Sequence, residues 1–349
     1  MLALCVVLPF HTVDFRRSDG VVVKLPAPDR LNHTSDTWDY LQIAREIYRS
    51  HRYESLFTYV PFLPDWEGSA REERGRFPVL WRQPGFPLLI AGAFVLRGDA
   101  DAGVLPWIQG AAIVLLPLVT YFLALAVLGP PWAFAAASWT LLVPLVVSPA
   151  SPFVATTWFA VIVGLLGALL LRSRPTWIVA LSGVLLGLAI VFRLETWFLV
   201  PGLLLLFWAL RSSKRMLPTA VLLGVAALVL VPWTRCRAQC AGETFTLTSL
   251  LYHATDAFPG WTSSRTLAVR ELSPLGFVTD HIGDVMEKSV LNVLRYARDL
   301  VLLPSPLLAP LAWLTILRPP SEPVPRAFVR GTSVLVLTLV LALSPLEYS

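Results

Sequence analysis

Charged residues are scarce in this chain. Asp, Glu, Lys and Arg make up 15% of its 349 residues, whereas a soluble domain carries about 25%. The stretch 102–171 contains none of them, and at about 20 residues per bilayer crossing it supplies about three membrane spans. This shortage of charge excludes a soluble enzyme, a DNA-binding protein and a disordered tail.

Cysteine is also rare, since the chain has only Cys5, Cys236 and Cys240. The count is odd, and Cys236 and Cys240 form a closely spaced pair without a second pair of ligands. Neither feature fits a zinc site. The cysteines are therefore structurally incidental, or Cys236 and Cys240 form one disulfide if they face an oxidising compartment. No Gly-rich phosphate loop or dinucleotide-binding fingerprint is present either, so we expect no nucleotide cofactor and no nucleic-acid partner.

What the chain does have is long apolar runs, which predict an all-α polytopic membrane protein with about nine transmembrane helices. The predicted spans are 2–13, three within 102–171, 175–192, 196–210, 216–234, 300–317 and 331–346. They divide the chain into a first helix (1–13), a large outer loop with juxtamembrane helices (14–101), a helical block (102–232), a second outer loop (233–299) and the last helices (300–349). Because the first span is short and the chain stops where the last one emerges, we expect a fragment.

The basic residues predict the orientation, because short cytoplasmic loops are rich in Lys and Arg. Connections at 172–174, 211–215 and 318–330 hold eight basic residues and one acidic residue. They are alternate connections, so all three can lie inside together, and the segments 14–101 and 233–299 then face outward. This assignment requires that the apolar run 84–97 does not cross, and the length of that run suits an interfacial or re-entrant helix. The Ala/Leu/Arg/Trp-rich composition favours a bacterial source, so we expect a plasma-membrane protein whose site faces outward.

Polar residues in the first outer loop predict that site. Thr34 or Ser35 can cap a helix near 36–50, and we expect this helix to lie along the membrane surface. Its apolar stripe falls on one face at helical spacing and consists of Tyr40, Ile43, Ala44, Ile47 and Tyr48. Asp36 and Asp39 share the first turn. They supply acid–base groups, or they only complement the positive end of the helix dipole.

Two further clusters carry positive charge towards the same side. Trp81 and Arg82 precede the apolar run 84–97, where the guanidinium can bind a phosphate or the two side chains can anchor lipid headgroups. Arg193 and Glu195 lie in the connection between two spans. They can reach a donor phosphate or pair with each other and fix the hairpin.

In this order the motifs resemble the GT-C glycosyltransferases that use polyprenyl-phosphate sugars, such as protein O-mannosyltransferases and the aminoarabinose transferases of lipid A. The matching residues are Asp36, Tyr40 and Ile43-Ala44-Arg45, then Arg82, Pro84 and Pro87, then Phe192-Arg193-Leu194-Glu195, then Val231-Pro232-Trp233. Thr37 stands where members often carry a Glu. The segment 151–157 lacks the acidic residue of many members, so we predict no metal and no other cofactor.

The resemblance implies a lipid-linked sugar donor, an unidentified glycan, lipid or protein acceptor, and inversion at the anomeric carbon. It implies Asp36 as the catalytic base with Asp39 as a supporting acid, Arg82 and Arg193 on the donor phosphate, and substrate contacts by Tyr40, Trp81 and Glu195. A transporter or lipid flippase is the competing class, although such proteins usually carry ionisable sites near the midplane and repeated halves. A catalytically inactive GT-C relative is a third reading.

The charge pattern makes a topology prediction. Ser212, Ser69 and Ser263 are replaced one at a time by cysteine and exposed to a membrane-impermeant thiol reagent. The cysteine at Ser212 should react only from the inside, and those at Ser69 and Ser263 only from the outside. The measurement is thiol labelling of intact cells and of inverted vesicles, with Cys5, Cys236 and Cys240 replaced by serine. Labelling of Ser69 and Ser263 from opposite sides would mean that the run 84–97 crosses the membrane.

Overall fold

The computed structural model describes residues 12–16, 22–26, 35–59, 72–79, 82–142, 154–172, 175–193, 196–209, 216–241, 279, 282–302 and 323–343. This part of the chain is mostly helical, as the sequence predicts. Its elements in chain order are β1 (Thr12–Arg16), β2 (Val22–Pro26), α1 (Ser35–Ser50), β3 (Glu54–Tyr59), β4 (Glu72–Pro78), α2 (Gly85–Arg97), α3 (Leu105–Leu128), α4 (Pro130–Leu142), α5 (Val154–Arg172), α6 (Thr176–Phe192), α7 (Thr196–Ala209), α8 (Met216–Ala241), α9 (Ile282–Leu302) and α10 (Pro323–Leu343).

The chain divides into two compact units. The first consists of Met1–Leu56, Gln83–Arg193 and Val221–Leu230, and the second of Phe57–Arg82, Leu194–Ala220 and Val231–Ser349. In the first unit α3 packs against α4 and α5, α5 against α6, and α1 against α2.

Two short strand pairs are additions that the all-α prediction did not include. β1 and β2 run antiparallel, with Thr12 opposite Pro26 and Arg16 opposite Val22, and β3 pairs with β4. The last two residues of the first predicted span, Thr12 and Val13, therefore lie in β1, and residues 2–11 lie outside the described residues. β-branched residues mixed with charged ones favour a strand over an apolar helix here.

Three helices of the described part are long and apolar enough to cross a membrane: Ala102–Leu128, Ala155–Arg172 and Met216–Cys236. Large apolar side chains are exposed along them. On α3, Val114, Leu118 and Phe122 follow one another at four-residue spacing on the exposed side. Since a soluble monomer rarely exposes so much contiguous apolar surface, these helices indicate a membrane protein, and the number of nine spans stays a prediction.

Close helix packing in the first unit depends on glycine. A Cβ atom added to Gly183 of α6 would lie 2.6 Å from the backbone oxygen of Leu222 in α8, and one added to Gly187 would lie 2.7 Å from Cβ of Val229. The missing side chains let the two backbones approach, which is the usual way in which helices associate within a membrane.

The run 84–97 forms α2, a helix of 13 residues. Its length, about 20 Å at 1.5 Å per residue, is well short of the roughly 30 Å hydrocarbon core. Gly98 ends it with a left-handed backbone, φ 79°, and its N–H donates to the Phe94 carbonyl at 2.8 Å. The helix that the sequence predicts near 84–97 is thus confirmed, and it is too short to cross a bilayer alone.

Helices of the second unit extend into segments that the sequence places in loops. α10 begins at Pro323 and includes Arg326 and Arg330, which were expected in a cytoplasmic connection. α8 continues to Ala241, and α9 occupies Ile282–Leu302, largely within the predicted second outer loop. α7 packs against α10, where a Cβ on Gly331 would lie 2.8 Å from that of Leu206.

The glycine contact between α6 and α8 makes a stability prediction. Gly183→Ala should lower the thermal denaturation midpoint of the detergent-solubilised protein, because overpacking costs about 1–3 kcal/mol. Gly224→Ala on α8 is the matched control, since nothing lies within 4 Å of a Cβ there and alanine favours a helix by about 0.5–1 kcal/mol. Equal midpoints for the two variants would contradict the close approach.

Candidate functional site

The helix predicted near 36–50 is present as α1, Ser35–Ser50. One face packs on α2 and the turn that follows it, in an apolar cluster with Phe86, Ile90 and Phe94 at its centre. The members from α1 are Tyr40, Leu41, Ala44, Ile47 and Tyr48. The predicted stripe is thus confirmed for four of its five residues, and Ile43, although fully buried, does not belong to this cluster.

α1 is enclosed on its second face as well, and its position along the membrane surface stays a prediction. That face carries Asp39, 1% exposed, and Glu46, 5% exposed, and Gln42 between them has a buried side-chain oxygen. The three lie at positions i, i+3 and i+7, which one side of a helix brings into a row. An enclosed carboxylate is costly unless polar groups surround it, so this row marks a polar interior next to an apolar cluster.

Sequence reasoning singled out Asp39 but missed Gln42 and Glu46. The signal was available, because these polar residues repeat with the same helical spacing as the apolar stripe. A polar row of this kind usually faces water, however, and the sequence contains nothing that shows a second covering surface.

Two aromatic contacts fix α1 on α2. The rings of Tyr40 and Phe86 meet edge to face with centroids 5.2 Å apart, and those of Tyr48 and Phe94 do so at 5.9 Å. Arg45 adds a polar contact, since its Nε atom donates to the Ala100 carbonyl at 3.0 Å. The Ile43-Ala44-Arg45 run therefore has a structural explanation in this chain: two residues are fully buried and the third holds the turn after α2.

The start of α2 meets the end of α6. A Cβ atom on Gly85 would collide with the Phe192 side chain and lie 2.8 Å from its Cα atom, so only glycine fits without movement of the backbone. Phe192 also packs against the cluster that contains Phe86 and Tyr40. This contact brings the end of α6 to the aromatic pair between α1 and α2.

Arg193 follows Phe192 directly and ends α6. Its N–H donates to the Ala189 carbonyl at 2.9 Å, and its Nη1 atom donates to the Thr156 hydroxyl at 2.8 Å. Thr156 lies in the first turn of α5, which Trp158 also ties to α3 through a 3.1 Å hydrogen bond to the Ile108 carbonyl. Thr156 is a polar neighbour of Arg193 that sequence reasoning did not identify, because the two are 37 positions apart.

Three of the sequence-predicted site residues, Asp39, Tyr40 and Arg193, lie in the first unit: Tyr40 contacts Phe86, Asp39 is on the other face of α1, and the Arg193 guanidinium binds Thr156. Arg82 is half-buried and belongs to the second unit. Asp36 lies in the first turn of α1, but its side chain is outside the described residues, as are Trp81 and Glu195.

Metal ligation has no support in the described ranges, where no group of three or more His, Cys, Asp or Glu lies close enough to hold an ion. That the whole chain works without a metal or another cofactor stays a prediction.

Comparison of the chain with protein-family models, with curated proteins and with solved structures found no match.

The aromatic contact between α1 and α2 can be measured by a double-mutant cycle. Tyr40→Leu and Phe86→Leu should couple by about 0.5–1.5 kcal/mol, the usual value for an edge-to-face pair. The measurement is SDS-induced unfolding of the protein in mixed micelles. The control cycle combines Phe86→Leu with Tyr48→Leu, whose ring contacts Phe94 instead and should show a smaller coupling. Equal couplings in both cycles would argue against the specific contact.

Proposed function

We propose that the protein is a membrane glycosyltransferase that moves a sugar from a polyprenyl-phosphate donor to an acceptor on the outer, periplasmic or lumenal, face with inversion. The observation that best supports this proposal is the enclosed carboxylate of Asp39 on α1. It lies on a helix packed against α2, whose first residue contacts the residue before Arg193. The acid and the cation both belong to the first unit: Asp39 lies on the face of α1 turned away from the apolar cluster, and Arg193 follows Phe192, which packs against that cluster.

The chemistry needs both kinds of group. The acceptor oxygen attacks the anomeric carbon while a carboxylate takes the acceptor proton, and the bond from that carbon to the phosphate oxygen breaks. The electron pair leaves with the polyprenyl phosphate, whose developing charge a guanidinium stabilises. Asp36 is the proposed base and Asp39 the supporting acid, with Arg193 and Arg82 as phosphate ligands. Tyr40, Trp81 and Glu195 are the proposed substrate contacts.

The positive end of α2 supports placing the phosphate near Arg193. Backbone N–H groups at a helix start carry partial positive charge and favour anions. In the first turn of α2 only Gly85 and Phe86 offer an unused N–H, because Pro87 has none and the N–H of Leu88 donates to the Pro84 carbonyl. This turn contacts Phe192, the residue that precedes Arg193. Arg193 also complements the negative end of α6, which it caps, and this structural role must be separated from phosphate binding by experiment.

The membrane arrangement is part of the proposal. About nine spans, with the first outer loop and the active site outside the plasma membrane, fit the basic inner loops. This arrangement requires that α2 does not cross, so that the loops before and after it lie on one side. A donor that arrives through the bilayer reaches such a site laterally.

Substitution of the acids tests the mechanism. The assay uses purified full-length protein, polyprenyl-phosphate mannose, glucose or aminoarabinose as donor, and cell-envelope extract as the acceptor source. In it Asp36→Asn should lower turnover by at least about 10²-fold, the effect of losing a general base. Asp39→Asn should have a smaller effect, and Arg82→Ala should mainly raise the donor KM. The control is Asp99→Asn, an exposed partner of Arg97, which should transfer sugar like the native chain.

Native turnover in Asp36→Asn would remove the proposed base, and loss in Asp39→Asn alone would move that role three residues along. The same assay separates the two roles of Arg193. If it binds phosphate, Arg193→Gln should raise the donor KM by about tenfold, as loss of a hydrogen bond to a charged group predicts, and Thr156→Val should not. Equal effects of both variants would leave Arg193 only the structural role of linking α5 and α6.

A further inference from the structure

α9 is amphipathic, but a row of its apolar side chains is exposed while two of its polar side chains are buried. Ile282, Met286, Val290 and Leu294 follow at four-residue spacing and are 54%, 61%, 56% and 62% exposed. Lys288 and Asn292, also four apart, are 6% and 4% exposed. At 100° per residue the centres of the two rows lie about 160° apart on the helix. The buried side of α9 thus carries Lys288 and Asn292 and its exposed side carries the apolar row, with the exposed Asp284 and Glu287 outside that row.

In water this arrangement is unfavourable, because burial of apolar surface drives packing and Lys is among the residues least often buried. Reversal is expected where the surroundings are less polar than the interior of the protein. The apolar row holds four large side chains and no charge, and it continues for three turns. Something apolar must cover it.

We infer that α9 lies in the membrane interface with its apolar row, Ile282, Met286, Val290 and Leu294, inserted at the boundary between lipid headgroups and acyl chains. α9 cannot itself span, because its 21 residues include six charged ones, far more than a crossing tolerates. A strongly amphipathic helix with this many charges is typical of interfacial helices that lie in the membrane plane.

The position of α9 in the chain favours lipid over a second protein as the partner. An uncharged stretch, 300–317, begins in its last turn and has about the length of a bilayer crossing. α9 also packs against α10, whose residues 331–343 are uncharged. A helix that leads into one such segment and packs against another lies at the depth of the headgroups. This inference does not depend on sugar transfer.

Site-directed spin labelling of the full chain in phosphatidylcholine–phosphatidylglycerol vesicles tests the inference. Nitroxides are placed singly at Ile282, Met286, Val290 and Leu294 after Cys5, Cys236 and Cys240 are replaced by serine. Each label should collide more often with oxygen, which concentrates in lipid, than with a water-soluble nickel chelate. Asp284→Cys, exposed on the same helix but outside the apolar row, is the matched control and should show the opposite preference.

If the nickel chelate collided with labels at the four positions as often as with the label at Asp284, the inference would be overturned, because the row would then face water. Exclusion of both reagents would also overturn it, since protein would then cover the row. The four labelled chains are independent, so one that fails to fold, as judged by gel filtration, does not decide the outcome. Oxygen preference at the remaining positions with the opposite preference at Asp284 supports insertion.

Discussion

The packing of α1 on α2 is the interaction on which the arrangement of the first unit depends. α1 alone would be a short amphipathic helix of marginal stability in water, and α2 alone is too short for a membrane span. Together they bury Leu41, Ala44, Ile90 and Phe94 in one cluster, to which the residues after α2 and the end of α6 also contribute. The edge-to-face contact of Tyr40 with Phe86 sets which side of α1 meets α2. The side of α1 that carries Asp39 is therefore turned away from α2.

A second constraint is the polarity of the surroundings. On α3 the row of Val114, Leu118 and Phe122 is exposed, while Gln109 of the same helix is buried. The pattern agrees with lipid as the outer solvent, since there apolar side chains gain nothing by turning inward. Glycine then becomes the residue that lets helices approach, as Gly183 and Gly187 do between α6 and α8.

Charge in the apolar helices α3, α5, α6 and α7 is absent or lies at the helix ends. Arg193 ends α6 and binds the hydroxyl of Thr156 at the start of α5, so a single guanidinium links two helix termini. Arg97, Asp99 and Asp101 are partners in the exposed turn after α2, with the closest N–O distance 3.2 Å. Lys288 is buried on α9, and Asp39 and Glu46 are enclosed on the inner side of α1. Their cost in desolvation is the reason to look for chemistry there, and it gives the proposed transferase its strongest physical support.

The sequence by itself determined the elements whose signals are local. The apolar stripe of α1 and the length of α2 fixed two helices and the conclusion that the second is too short to cross, because periodicity and run length are properties of neighbouring residues. Only the tertiary structure decided that α1 is covered on both sides, that Gln42 and Glu46 join Asp39 in an enclosed row, and that Arg193 binds Thr156. It also decided that α9 faces outward with its apolar side. Each of these depends on which distant segment packs against a face, and contacts across many tens of residues leave no periodic trace in the chain.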